Sequence, residues 1–540
     1  MSDNDHENDH QTHSIDIEQD GREQDYELED TENIKNNPGL LDTASKNPYV
    51  LFIACFSSIG GLLFGYDQGV VSGILTMESF AVQFPRIYTD PDVKGWFVST
   101  FVLCALIGSL SNARIADRYG RSVSMIVAVF IFVIGSSMQA FALRPLMLFA
   151  GRGIAGISVG MLTVVVPVYM AEIAPPAIRG ALVVLQQLSI TVGILISFWM
   201  DFFTNNIGGT RCFPDIPYSN GDSFDPYTDV SDDGECMQSQ WSWRLPFALQ
   251  MLPAVILAIG MMVLPESPRW LLMSGQDELA KETLAAIRRL HVDDEAVSAE
   301  LASVKADLLA THELNQARRQ QGLRNRGLLS RSIRPRVVLG SSVMILSQFM
   351  GINALIYYAP AIFASLGLQS ASLLATGVYG IVNFLSTFIA LVTIDHVGRR
   401  PLLIAGAFGC GISLLIVAFV VRLLDAGYHP FPFIGALAIY LYDVNFSYSW
   451  APVGWVLPSE IFPIEIRSRA VAVTTSSAWI SNFIVGLITP TLLANAKYFT
   501  YIIFAFMCAV AAVFTIYVVP ETKGKTLEEM DIVFQTRDPL

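Results

Sequence analysis

The chain has 540 residues, 52% hydrophobic and 15% charged, with a mean hydropathy of +0.47 and a net charge of −14. Soluble domains carry about 25% charged residues, so the composition excludes an ordinary soluble enzyme and a disordered protein. The acidity excludes a nucleic-acid binder, and the remaining class is a helical protein that crosses a membrane many times.

In chain order the first element is a tail. Residues 1–46 hold 14 Asp and Glu against 3 Lys and Arg, which is −11 of the total −14. This stretch is too polar to bury itself, so a disordered acidic tail is expected. His6, His10 and His13 fall in it at irregular spacing and read as solvated side chains rather than metal ligands. The start lacks a basic flank and an apolar core, so no signal peptide is expected.

About 20 apolar residues cross the hydrocarbon. Stretches at 50–77, 95–113, 123–143, 146–171, 180–200 and 245–264 predict six spans. Residues 337–394 carry no charge and break near Gly367, giving two more. Stretches at 401–421, 432–458, 470–496 and 498–520 complete twelve. The expected organisation is an all-α membrane protein. It has a tail (1–46), a six-helix bundle (47–264), a linker with short helices (265–336), a second bundle (337–519) and a short tail (520–540).

Lys and Arg set the orientation. Arg86, Lys94, Arg144, Arg211, Arg244, Arg422 and Lys497 fall on one side, Arg152 lies inside a span, and the other 26 of the 34 fall on the opposite side. Both termini and the linker are therefore expected in the cytoplasm. Cys212 and Cys236 fall in the outer loop between spans 5 and 6, where a disulfide is open to them. The other four cysteines fall in spans and read as small packing residues. The sequon at Asn445 is mid-span and should not be glycosylated.

The two sets of six spans echo each other. Asp117-Arg118-Tyr119-Gly120-Arg121 follows span 2, and Asp395 to Arg400, with Arg399, follows span 8. AEIAPPAIRG, with Glu172 and Arg179, follows span 4; PSEIFPIEIRSRA, with Glu460 and Arg467, follows span 10. PESPR, with Glu266 and Arg269, follows span 6; PETK, with Glu521, follows span 12. All lie on the cytoplasmic side, so the halves are parallel copies, the plan of a secondary transporter. Ordinary charge at a membrane edge is the plain alternative. Three motif types, each occurring twice in register, favour an ion-pair latch on the cytoplasmic gate.

On these residues the chain resembles the sugar porter family of the major facilitator superfamily. The resemblance covers about residues 50–525. In the first half it is carried by GYDQGVVSG, DRYGR, GRGIAGISVG, PVYMAE, QQLSITVGI and PESPRWL. In the second half QFMGINALIYYAP, IVN, GRRP, WAPVGWVLPSEIFP, WISNFIVG and PETKGKTLEE carry it. The GYDQG form and the acidic tail resemble fungal hexose and sugar transporters. The resemblance implies polar sugar contacts from Gln187, Gln348, Asn353, Asn383, Trp455 and Asn482. It implies apolar walls from Ile190, Ile194, Phe446 and Trp479, and an outer gate at Tyr357 and Tyr358.

The chemistry suits a sugar, because amides donate and accept at once. Each polar residue has a packing alternative: an Asn or Gln in a span often bonds a neighbouring helix, and Trp479 could be core. Gly61, Gly65, Gly69 and Gly73, spaced by four, read as a close-packing face of span 1. Gly351, Pro360, Pro452, Gly454 and Pro458 are expected to interrupt spans 7 and 10, which is tolerated where helices line a cavity. The chain departs from the family pattern at Ser347, Ala451, Ala478 and Ser122. Ser347 and Ala478 shorten two pocket contacts and leave the exact sugar open.

Asp67 and Arg152 are charges inside spans, each costing about 2.5–3.5 kcal/mol on insertion scales. In proton-coupled members of the family, matching positions form a pair. Beside Arg152, Asp67 stays ionised; parted from it, a buried carboxylate favours its protonated form. The alternative is a static bridge between spans 1 and 4. Asp443 is a further acid within span 10, whose expected role stays open between ligand contact, coupling and a helix–helix bond. The expected function is a plasma-membrane sugar–proton symporter of a hexose, working as a monomer without a cofactor. A uniporter, a carrier of pentoses, disaccharides or polyols, and a transporter-like receptor are the alternatives.

Overall fold

A computed structural model describes residues 48–175, 179–219, 224–231, 235–320, 333–428, 432–462, 467–523 and 534. Side chains at 113, 179–184, 307, 310–312, 314–320, 391–396, 459, 467 and 468 are not among those described. The acidic tail, most of 520–540, and the side chains of Arg179, Arg467 and Asp395 therefore lie outside the described residues.

The described residues form helices and no strand. Span 1 comprises Pro48–Ser57 and Ile59–Ile74; spans 2 to 5 are Pro91–Tyr119, Arg121–Ala140, Pro145–Ile173 and Arg179–Thr204. Span 6 comprises Trp241–Leu249 and Met251–Val263, and span 7 Arg334–Phe349 and Ile352–Ser365. Spans 8 and 9 are Ser372–Val397 and Arg399–Asp425; span 10 comprises Pro432–Ser447 and Trp450–Ile461. Spans 11 and 12 are Arg467–Ala496 and Tyr498–Tyr517. Between the halves lie helices Pro268–Met273, Asp277–Arg288 and Glu295–Gln320.

Among the described residues, eleven of the twelve spans are long and apolar enough to cross a membrane. The tenth divides at Ser449 (φ −119°, ψ −79°) into helices of 16 and 12 residues. The expected interrupters of span 10 are thereby corrected. Pro452 sits in the first turn of the second helix, where its missing N–H is one the helix cannot use. Gly454 and Pro458 lie within that helix without dividing it. Span 7 does break where expected, at Gly351 and again at Tyr358 (φ −124°, ψ 21°), two residues before Pro360.

Packing repeats by six. Spans 1 and 5, 2 and 4, and 3 and 6 pack in the first half; 7 and 11, 8 and 10, and 9 and 12 pack in the second. The halves meet through spans 2 and 11 and through spans 5 and 8, which exchange under the same repeat. Bulky apolar side chains such as Phe130, Leu146, Val263, Phe419 and Phe506 face outward, as lipid-facing residues must. This is the twelve-helix, two-half membrane architecture.

The glycine row of span 1 acts against span 5. A Cβ on Gly65 would stand 1.9 Å from the Ile190 carbonyl oxygen, and one on Gly73 2.4 Å from Asp201. Small residues permit that approach, and it brings Asp67 and Gln68 to fixed positions. The ends of the bundle differ. The motif end carries the turns after spans 2 and 8. The loop end carries residues 205–219, 224–231 and 235–240, where Cys212 and Cys236 form a disulfide. Glu78 fastens this loop, accepting from the Cys212 N–H at 2.5 Å and the Tyr218 hydroxyl at 2.6 Å.

Candidate functional site

A cavity of about 860 Å³, counting its mouth, lies between the two halves. Gln187, Ile190 and Ile194 line it from span 5, and Gln348 and Asn353 from span 7. Asn383 comes from span 8, Phe446 and Trp455 from span 10, and Trp479 and Asn482 from span 11. The ten residues implied by the resemblance thus meet at one place, as do Ser347 and Ala478. Sequence reasoning did not name Phe64, Gln68, Thr191, Ile352, Ile356, Thr387 or Trp450, which also line it. Thr191 and Thr387 were findable, since each lies one turn beyond a named residue on the same helix face.

Part of the wall is polar. Asn353 donates to Gln348 across the Gly351 break. Gln348 Nε2 donates to Ser347 Oγ at 3.2 Å, whose hydroxyl donates back to the Met344 carbonyl at 2.7 Å. Asn383 Oδ1, Thr387 Oγ1 and Trp479 Nε1 are buried with no protein partner among the described residues. An acceptor, a hydroxyl and a donor on residues of the cavity wall are thus left without a protein partner among the described residues. Ile190, Ile194, Phe446 and the Trp479 ring, 5.5 Å from Phe64, provide apolar faces.

The loop end of the cavity is shut. Tyr357 and Tyr358 are buried there. Gln68 Nε2 donates to Tyr357 Oη at 3.2 Å, Tyr357 donates to Asn482 Oδ1 at 3.3 Å, and Tyr358 donates to the Gly486 carbonyl at 2.9 Å. Farther out, Thr491 donates to Asp92 at 2.6 Å, and Gly95 packs on the Leu487 carbonyl. Gly377 and Gly380 lie against Trp199 and Leu195. Spans 1, 7 and 11, 2 and 11, and 5 and 8 are thus closed on one another at this end.

One residue from Gln68 is the charge pair. Arg152 Nη1 lies 2.6 Å from Asp67 Oδ2, and both side chains are fully buried. The guanidinium also stands 4.6 Å from the Phe101 ring centroid and 5.6 Å from that of Phe97. A desolvated cation–π contact of this kind is worth about 2 kcal/mol or more. Asp67 Oδ1 and Arg152 Nε and Nη2 have no partner among the described residues. The pair is thus joined by a single hydrogen bond and is not fully satisfied. Asp201, a buried acid that the sequence reading did not single out, accepts from the Gly73 N–H at 3.2 Å.

At the motif end the repeated motifs build the same device twice. Arg121 pairs with Glu172 through two bonds of 2.9 Å; Arg399 bonds Glu460 at 2.8 and 3.2 Å. Glu266 accepts from the N–H groups of Arg121 and Ser122, and Glu521 from those of Arg399 and Arg400. Gly120 (φ +101°) and Gly398 (φ +96°) make both turns possible, and a Cβ on either would press on the glutamate. These bonds join spans of the same half. Asp117 is exposed, 3.6 Å from Arg121; Arg118 lies over the Tyr119 ring. Arg400 donates to the Ile516 carbonyl, and Arg269 lines a groove with Glu172 and Glu300. The expected network thus contains Arg121, Glu172, Glu266, Arg399, Glu460 and Glu521. Among the described residues Arg118 and Arg269 form no ion pair, since neither reaches a carboxylate.

Residues 53–534 match the family model described as "Sugar (and other) transporter". The chain is 33% identical over 525 residues to "Sugar transport protein 1" of Arabidopsis thaliana, covering 93% of this chain and 92% of that protein. It is 34% identical over 489 residues to "Probable metabolite transport protein CsbC" of Bacillus subtilis, covering 89% and 94%. Among solved structures it resembles the proton:xylose symporter XylE bound to 6-bromo-6-deoxy-D-glucose (TM-score 0.69, 29% identity, 90% and 99% coverage). It also resembles a partially occluded inward open form of XylE from E. coli (TM-score 0.70, 28% identity, 89% and 100% coverage).

Proposed function

The chain belongs to the sugar transporter family of the major facilitator superfamily, and on that premise we propose that it imports a monosaccharide, a hexose first, together with a proton by alternating access. The observation that carries this reading is adjacency. Gln68 lines the cavity and bonds the gate residue Tyr357, while its neighbour Asp67 holds Arg152. A change at the sugar site therefore moves the helix that carries the proton site. Relatives support the class, since one solved structure of similar fold is a proton:xylose symporter.

In this reading the loop end faces outside, the motif end and both termini face the cytoplasm, and the membrane is the plasma membrane. The Lys and Arg asymmetry supports that orientation. The geometry described is the inward-facing stage: outer gate closed, Asp67 returned to Arg152, proton released. When the outer gate opens, Asp67 parts from Arg152 and takes a proton from outside. Sugar then bridges Gln187 on one half and Gln348, Asn353 and Asn482 on the other, drawing the halves together. Arg121 with Glu172, and Arg399 with Glu460, brace the motif end while it opens and closes.

The test is uptake in a transport-deficient cell with hexoses, pentoses, disaccharides and polyols, at two pH values and with an uncoupler. Hexose accumulation against its gradient, with sugar-induced proton uptake, is expected. Equilibration without proton movement would make the protein a uniporter with the same cavity, and no uptake of any sugar would remove the reading.

A further inference from the structure

Asp443 is fully buried in span 10 beside the Tyr379 hydroxyl of span 8, and it accepts from Asn383 of span 8 and from Ser447 one turn on. Asn383 and Ser447 both line the cavity, and Asp443 stands behind them. The geometry points to Asp443 as a specificity-determining residue: it holds Asn383 so that the amide oxygen, and not the amide nitrogen, faces the sugar. This inference rests on the proposed sugar site.

Both amide hydrogens of Asn383 are accounted for. Asn383 Nδ2 donates to Asp443 Oδ1 at 2.8 Å and to Ser447 Oγ at 3.1 Å. The Ser447 hydroxyl donates to the same Oδ1 at 3.4 Å. An amide nitrogen has two hydrogens, so both are spent in this three-membered ring. Asn383 Oδ1 is buried without a partner among the described residues. A carboxylate oxygen can only accept, so it fixes which end of the amide turns toward it. Asn383 then offers the cavity an acceptor and no donor. The ligand group opposite must donate, as a hydroxyl does. A fluorine or an ether oxygen at that place would leave the amide oxygen unsatisfied.

The experiment is competition against uptake by monodeoxy and monodeoxyfluoro analogues of the transported sugar, one ring position at a time. It uses the full chain as wild type, Asp443→Asn and Ser447→Ala. At one position or more the wild type should reject the fluoro analogue as strongly as the deoxy analogue, by roughly tenfold or more. In Asp443→Asn the new amide can donate to Asn383 Oδ1, so Asn383 can turn its nitrogen inward. Tolerance of fluorine should then return at one of those positions and stay unchanged at the others. Ser447→Ala should relax the same position partially, which decides the matter if Asp443→Asn fails to reach the surface. A wild type with no such position overturns the inference. So does an unaltered profile in Asp443→Asn at normal surface level, or in Ser447→Ala if the first variant is lost. A wild type that transports no sugar would instead sink the proposed function itself.

Discussion

Gln187 and Asn353 belong to opposite halves yet face one cavity, and each carries both donor and acceptor. Replacing either with Ala should abolish specific uptake while leaving surface expression intact. Normal uptake in both variants, measured beside surface labelling, would remove the site. Ser347 and Ala478 line the same wall, and the Ser347 hydroxyl is already bonded to Met344. Installing Gln and Asn there should extend two amides toward the ligand and narrow competition by larger or deoxygenated sugars; an unchanged profile would count against ligand contact. These positions were legible because ordered motifs fixed their places. Gln68 was not, although it stands beside Asp67. Its importance comes from Tyr357 and Asn353, 285 or more residues away, and no local pattern states which residues two separate halves will bring together.

Helix ends and helix faces set the next layer. Glycines spaced by four predicted a packing face on span 1, and the partner proves to be span 5. Gly65→Ala would press on a backbone oxygen, and overpacking of this kind costs roughly 1–3 kcal/mol, occasionally more. Its thermal stability in detergent should fall, whereas Gly454→Ala, with open space at its Cβ, should keep its stability and change the sugar KM. Equal melting temperatures for both would contradict the packing. The division of span 10 was misread because Pro452, Gly454 and Pro458 were taken as its breakers, whereas Pro452 is accommodated in a first turn and the other two lie within the helix. The two motif-end glutamates also differ in a way the matching sequences conceal. Burial pushes the Glu521 carboxyl up, but N–H groups of Lys523, Arg399, Arg400 and Thr522 outweigh it and hold it below its ordinary 4.5. Burial of Glu266 prevails over its N–H donors and Arg121 and holds it above 4.5. Stabilisation by Glu521 is therefore present above about pH 4.5 and lost as pH falls through its depressed value, while protonation favours the folded state at Glu266. Glu521→Gln should lower the melting temperature at neutral pH more than Glu266→Gln, and its deficit should shrink below pH 4.5. A deficit that grows on acidification would reverse the assignment.

Alternating access requires that the halves close at one end while opening at the other, and the contacts described sit at the loop end. Twelve spans and two parallel halves were legible, because hydropathy and paired motifs repeat along the chain. The closed gate was not, because one sequence serves every stage of the cycle. In the proposed cycle Asp67 is the link to the proton. A carboxylate exchanges a proton and an amide does not, so Asp67→Asn should lose accumulation against a gradient and lose pH dependence. The amide keeps the shape and can still accept from Arg152. Removing one partner of a buried ion pair outright costs about 3–5 kcal/mol, and the Asn variant should lose less. Exchange of labelled sugar between a preloaded interior and the outside needs no net proton movement, so it should persist. Sugar-induced proton uptake, followed beside exchange in wild type and variant, separates the possibilities. Exchange retained with proton uptake lost assigns the proton to Asp67. Loss of exchange and accumulation together, at normal surface level, would mean that the Asp67–Arg152 bridge holds spans 1 and 4 in place and the proton travels elsewhere.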